Sequence, residues 1–202
     1  LISLRKQILA ELPKTRNYSE EIRPKSLVLQ PDNSEDQVIA ALFGGRSEYR
    51  YELQFVEKPQ QPLYKERNFK LEVRLVDSEG RHVLNSNPQS DVGNPIPLKF
   101  RIYTNDEQPV LLELNKNGQP ITKGSSSSEL YHGVGSFNKL HLREVSSYYK
   151  DGTLNIMVCP EPPSFSYNAK ESSVEREIDY TLIKPLVCNM TVRAKKKFHH
   201  EN

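Results

Sequence analysis

The chain has 202 residues, with 28 Lys and Arg against 26 Asp and Glu for a net charge of +2. At 36% hydrophobic and 27% charged it can bury one large core, or one core with an arm, and it holds no run of about 18 apolar residues that would span a membrane. Its pI of about 8.4 lies below the roughly 9 common for dedicated nucleic-acid domains, so a nucleic-acid role has to rest on a local patch rather than on the overall field.

The sequence begins at Leu1 rather than Met and reads as a segment of a longer protein or a processed product. From Leu1 to Leu12, the residues Leu1, Leu4, Ile8 and Leu12 recur at helical spacing, and Pro13 ends the pattern. A helix this short needs a surface to lie on, either the end of the domain or a partner protein. Lys14 to Pro31 is polar apart from Leu27-Val28-Leu29. A second helix is predicted after Ser34, with Ser34 as N-cap, Glu35 and Asp36 at the positive end of the dipole, and Gly44-Gly45 closing it. Its apolar residues are Val38, Ile39, Leu42 and Phe43. The cluster Asp32, Glu35 and Asp36 lacks the glycine and distal glutamate of a calcium loop and reads as helix capping. Residues 1–45 are thus expected to form a helical N-terminal arm.

From Tyr49 the period changes to two, placing Tyr49, Tyr51, Leu53 and Phe55 on one face. Glu57 to Pro62 is a proline-bearing connection or edge. The strongest strand signal follows. Phe69, Leu71, Val73 and Leu75 alternate with Lys70, Glu72 and Arg74, Asp77-Ser78-Glu79-Gly80 supplies a turn, and His82-Val83-Leu84 returns. After a loop from Asn85 to Pro97, strands are expected through Leu98, Phe100 and Ile102, then through Val110, Leu112 and Leu114. Asn117-Gly118 marks a hairpin turn with Ile121 on the return, and Gly124 to Ser128 reads as a flexible serine loop. Phe137, Leu140 and Leu142 form the next extended stretch, and Asp151-Gly152 turns into Leu154, Ile156 and Val158. Pro160 to Ser173 is a long loop. The last strands run through Ile178, Tyr180 and Leu182, then Leu186, Cys188, Met190 and Val192, and Lys195-Lys196-Lys197 ends the pattern. Roughly eight or nine short strands separated by turns predict an all-β fold, an antiparallel β-sandwich over residues 46–202 with a basic C-terminal tail.

No reaction is spelled out by these residues. The histidines His82, His132, His141, His199 and His200 form no His-x-x-x-His pair, and no Cys-x-x-Cys accompanies them. His132-Gly133-Val134-Gly135 has the glycines of an oxyanion-hole loop but no Gly-x-Ser-x-Gly nucleophile turn goes with it. No phosphate-cradling or dinucleotide-binding glycine loop is present. No catalytic residue, metal or cofactor is therefore assigned, and a non-enzymatic protein is expected. Cys159 and Cys188 read as buried free thiols, the rival being a disulfide in a secreted domain. Two glycosylation patterns, Asn17-Tyr18-Ser19 and Asn189-Met190-Thr191, keep that rival open.

Three stretches carry a family resemblance: Tyr51 to Val76, Gly133 to Val158 with its G-x-x-x-F-x-x-L-x-L pattern, and Ile183 to Lys197 running into the basic tail. In this order they resemble the immunoglobulin-like β-sandwich of Rel-like transcription factors, including the STAT DNA-binding domain, the fungal velvet domain and the plant calmodulin-binding transcription factors. The resemblance implies a nuclear or cytoplasmic protein that contacts duplex DNA through loops at one end and through the C-terminal basic segment. The residues available for this are Arg46 and Arg50 around the first strand, Lys65, Arg67 and Lys70 before the central strand, and Arg193, Lys195, Lys196 and Lys197 after the last. A solvated face is the competing reading of each cluster. The near-neutral charge fits a different role, an immunoglobulin-like protein-interaction module within a larger assembly or on a cell surface, with the N-terminal helix as a possible partner contact.

Overall fold

The computed structural model describes residues 26–30, 34–44, 48–84, 95–161 and 180–194. The helix expected over Leu1 to Leu12, along with Asn17, Arg46, Lys195, Lys196, Lys197, His199 and His200, lies outside the described residues. The described structure is mostly β, with one α-helix, α1 (Ser34–Phe43), and no helix among the described residues is long and apolar enough to cross a membrane. The strands are β1 (Leu27–Val28), β2 (Glu48–Tyr49), β3 (Tyr51–Phe55), β4 (Leu63–Tyr64), β5 (Phe69–Asp77), β6 (Ile96–Thr104), β7 (Thr122–Lys123), β8 (Ser127–Tyr131), β9 (Val134–Leu142), β10 (Leu154–Pro160), β11 (Ile183–Lys184), β12 (Leu186–Met190) and β13 (Val192–Arg193).

The main sheet runs β11-β3-β5-β9-β8-β6-β10-β12, with β7 added beside β9. Its two ends are consecutive in the chain: β11 pairs with β3, and after the buried Pro185 the chain continues as β12 against β10. The sheet therefore comes close to closing on itself, which leaves few free edges. The pairing is mixed rather than antiparallel throughout, since β11 runs parallel to β3 and β13 parallel to β4. Alternating hydrophobicity tells which face of a strand is dry, not which way its neighbour runs.

The alternation of β5 is realised: Leu71, Val73 and Leu75 are fully buried, joined by Phe100, Ile102, Leu154 and Ile156 from β6 and β10. The Phe100 ring lies 6.3 Å from Phe69 and 6.1 Å from Phe137, a tilted aromatic ladder across the interior. Each such side chain contributes about 1.5–3 kcal/mol by leaving water. A second, smaller core lies on the outside of the sheet, where Ile39 of α1 packs with Tyr49, Tyr103, Met157, Cys159 and Val187. The helix is tied down by Asp36, which is 2% exposed. Its Oδ2 accepts the Gln30 N–H at 2.8 Å, and its Oδ1 is 2.6 Å from Lys184 Nζ at an angle outside hydrogen-bond geometry. Asp36 thus serves as a buried ion-pair partner as well as sitting in the first helical turn.

Several expectations are corrected. A bend at Arg50 separates β2 from β3, so Tyr49 joins the outer core while Tyr51 and Leu53 face the inner one. The stretch through Val110, Leu112 and Leu114 forms isolated bridges, not a strand; Val110 and Leu114 are exposed and Leu112 is only partly buried. Ser127 and Ser128 belong to β8, where Ser128 Oγ donates to Ser136 O at 2.7 Å. Tyr180–Leu182 is a 3-10 turn. The uneven spacing from Phe137 to Leu140 is a bulge at Asn138-Lys139, with Lys139 at φ +55, which returns Leu140 to the interior. His82 makes one bridge to Val76, and His132-Gly133 is the turn between β8 and β9, where a Cβ on Gly133 would sit 2.1 Å from Val83 O. Cys159 and Cys188 are both free and buried, in the outer and inner cores respectively, so the sheet lies between them. Asn189 Nδ2, the nitrogen that would carry a glycan, donates to Thr153 Oγ1 and Asn155 Oδ1.

Candidate nucleic-acid interface

Strand β4 is two residues long, and what places it is its parallel partner β13. Val192 pairs with Leu63 and Arg193 with Tyr64. Leu63 N–H donates to Thr191 O and Lys65 N–H to Arg193 O, both at 2.9 Å. Gln61 adds a side-chain clamp: its Nε2 donates to Asn189 O, and its Oε1 accepts the Thr191 N–H, both at 3.2 Å. Beneath, the buried Val192 donates its N–H to Ser146 Oγ at 2.9 Å, and that hydroxyl donates to Gly152 O at 2.5 Å. Arg193 is thereby held opposite Tyr64, with its backbone carbonyl bonded to Lys65, although more than a hundred residues separate them in sequence.

After Lys65 the chain turns. Glu66 takes a left-handed φ of +60 and donates its N–H to Leu142 O, and Arg67 N–H donates to Tyr64 O at 3.1 Å. The Arg67 guanidinium lies 5.7 Å over the Tyr64 ring, a contact worth about 0.5–1 kcal/mol at an exposed site. Lys70, at the start of β5, is exposed and ion-paired to Glu72. A groove of about 390 Å³ runs along this edge, lined among others by Pro59, Gln61, Pro62, Tyr64, Arg67 and Lys70. Four cations, Lys65, Arg67, Lys70 and Arg193, thus share one edge with two carboxylates, Glu66 and Glu72. Glu66 Oε1 is in turn 3.9 Å from Arg143 Nε.

Of the nine predicted basic residues, these four come together. Arg50 does not: it precedes Tyr51, which pairs with Asp77 at the far end of β5, about 23 Å from Lys70 at 3.3 Å per residue. Its N–H donates to Leu182 O. Arg46 and Lys195, Lys196 and Lys197 lie outside the described residues, the lysines two to four positions after Arg193. Tyr64 was not assigned to the site from the sequence, and Gln61 was missed. The Tyr64-x-x-Arg67 spacing across a turn is a local signal for the stacked pair, whereas Gln61 reaches a partner 130 residues away and leaves no local trace.

A larger cleft, about 660 Å³, opens at the end of α1 between Leu42, Phe43, Arg101, Tyr103, Cys159 and Glu161. Arg101 Nη2 donates to Glu161 Oε1 at 2.7 Å. Burial pushes the Cys159 thiol up, with the Arg101 guanidinium opposing it, so the sulfur is a neutral thiol at pH 7 and a poor nucleophile. Among the described residues no three His, Cys, Asp or Glu side chains are grouped to hold a metal ion. Compared with models of known protein families and with curated protein sequences, the chain matches none.

Proposed function

We propose that this chain is a non-enzymatic DNA-binding domain of transcription-regulating type, an immunoglobulin-like β-sandwich akin to the Rel-like factors, acting in the nucleus or cytoplasm. Duplex DNA is held by the β4–β13 edge together with the basic tail that follows it. The observation that carries this reading is the parallel β4–β13 pairing. It sets Arg193 opposite Tyr64 and bonds its carbonyl to the Lys65 N–H, with Arg67 and Lys70 along the same edge, and it anchors the chain two residues before Lys195. Cations fixed on a hydrogen-bonded strand lose less freedom on docking than cations on an unanchored chain. Arg67, already stacked on Tyr64, is pre-oriented in the same sense.

The test is titration of the protein with random-sequence duplex DNA over a series of salt concentrations. Phosphate neutralisation makes log affinity fall linearly with log salt, by about 0.9 for each phosphate met. A steep slope supports the proposal. Absence of binding at low salt overturns it, in favour of the protein-interaction module that the net charge of +2 would equally suit.

A further inference from the structure

The basic edge does not stop at Lys70. Phe69 pairs with Leu140 and Leu71 with Phe137, so Lys70 faces the bulge of β9 that carries Lys139. Leu71, Phe137 and Leu140 are buried, which turns Lys70, Asn138 and Lys139 to the outside. One strand further, Lys123 of β7 pairs with His141, two residues on from Lys139, while its neighbour Thr122 pairs with the buried Leu142. Lys123 and Lys139 are both exposed, and neither makes an ion pair among the described residues. The bulge is also firmly seated: Gly124 approaches so closely that a Cβ on it would lie 2.3 Å from Lys139 O. Lys139 occupies a left-handed conformation (φ +55) that glycine or asparagine takes more readily. The outcome is a cation aimed outward from a fixed point, a recurrent use of bulges.

We infer that the DNA-binding surface continues from the β4–β13 edge across β5, β9 and β7, with Lys139 and Lys123 as further phosphate contacts. This rests on the DNA-binding reading above. Neighbouring strands lie about 4.8 Å apart, so Lys70 to Lys123 covers about 10 Å. Charges along one DNA strand recur about every 3.4 Å of helix axis, so this width spans about three phosphates. Neither lysine stood out in the sequence, because neither belongs to a basic cluster and only the register brings them into line with Lys70.

The experiment measures duplex affinity of the full chain against salt for the parent, Lys139→Asn, Lys123→Gln and the double variant. Asparagine removes the charge while suiting the positive φ, so the bulge keeps its shape. The expected result is a salt slope lowered by about 0.9 in each single variant and about twice that in the double, with thermal midpoints at or above the parent's. A double variant with the parent's slope, while Arg67→Ala flattens it, overturns the extension and leaves the DNA on the β4–β13 edge alone. A double variant that weakens binding equally at every salt concentration overturns it too. If the parent itself binds no duplex at low salt, it is the DNA-binding reading that has failed, and the extension falls with it.

Discussion

Strand β5 and the β4–β13 edge meet at Phe69 but are held in place by different physics. In β5 the side chains do the holding: Leu71, Val73 and Leu75 are sealed in the inner core, and the strand is paired on both sides, with β3 and β9. At the edge the backbone does it. Two strands of two residues each are fixed by a few hydrogen bonds and by Gln61 and Ser146, while the cationic side chains are left largely to solvent. One region therefore converts sequence into stability, and the other converts stability into a displayed charge pattern. Substitutions should separate the two.

The largest effect is expected from Val73→Asp. It places an uncompensated carboxylate in a site with no exposure, at a cost above about 4 kcal/mol. Thermal denaturation checks it, and an unchanged midpoint would mean that β5 is not the core strand. Next comes Asp36→Ala, which strands the mostly buried Lys184 and the Gln30 N–H beneath α1. A loss of about 2–4 kcal/mol is expected in urea titration. A loss of under about half a kcal/mol would show that the helix is not held through that ion pair.

Arg67→Ala sharpens the contrast from the other side. Its exposed stacking on Tyr64 limits the stability change to about 1 kcal/mol or less, while duplex affinity at low salt should fall and the salt slope drop by about 0.9. A variant that unfolds without changing DNA binding per folded molecule would reverse the roles assigned to the two regions.

The smallest effect concerns pH. Burial pushes Asp77 up, but the N–H groups of Arg81 and Glu79 and the Arg81 guanidinium hold its carboxyl below the usual 3.8. A carboxylate lowered in the folded state stabilises above its unfolded pKa, and that contribution is lost as pH falls through the folded one. The β5 turn should therefore be intact at neutral pH and weaken below about pH 4. Asp77→Asn should remove this acid dependence at a cost of about 1 kcal/mol or less. Parallel acid melting curves for parent and variant would contradict it.

How much of this was legible beforehand follows the same division. The inner faces of β5, β6 and β10 were readable because alternation is a local property of two or three turns of pleat. The outer core was not. Met157 and Cys159 alternate with Ile156 and Val158, and read as wet-face residues until α1 is known to cover them with Ile39. Their apolar character, set beside Val38, Ile39 and Leu42 in the helix, was the available hint that β10 is dry on both sides. At the interface, Lys65, Arg67, Lys70 and Arg193 were each visible as cations. Their assembly depends on β4–β13 pairing across some 130 residues, and strands of two residues carry no periodicity to announce it. Arg50 looked equivalent in sequence and lies at the other end of β5. The bulge that projects Lys139 was written only as an extra residue between Phe137 and Leu140.

The most direct test of the account is the salt dependence of duplex binding by the parent and by the Lys195→Ala, Lys196→Ala, Lys197→Ala triple variant, with thermal melting recorded on the same samples. The account predicts a steep slope for the parent, a slope flatter by up to about 2.7 in the variant, and coincident melting curves, as expected for charged positions outside the apolar strand pattern. Equal affinity and slope in the two proteins would contradict the tail's role, and a parent that binds no duplex at low salt would contradict the DNA-binding function itself.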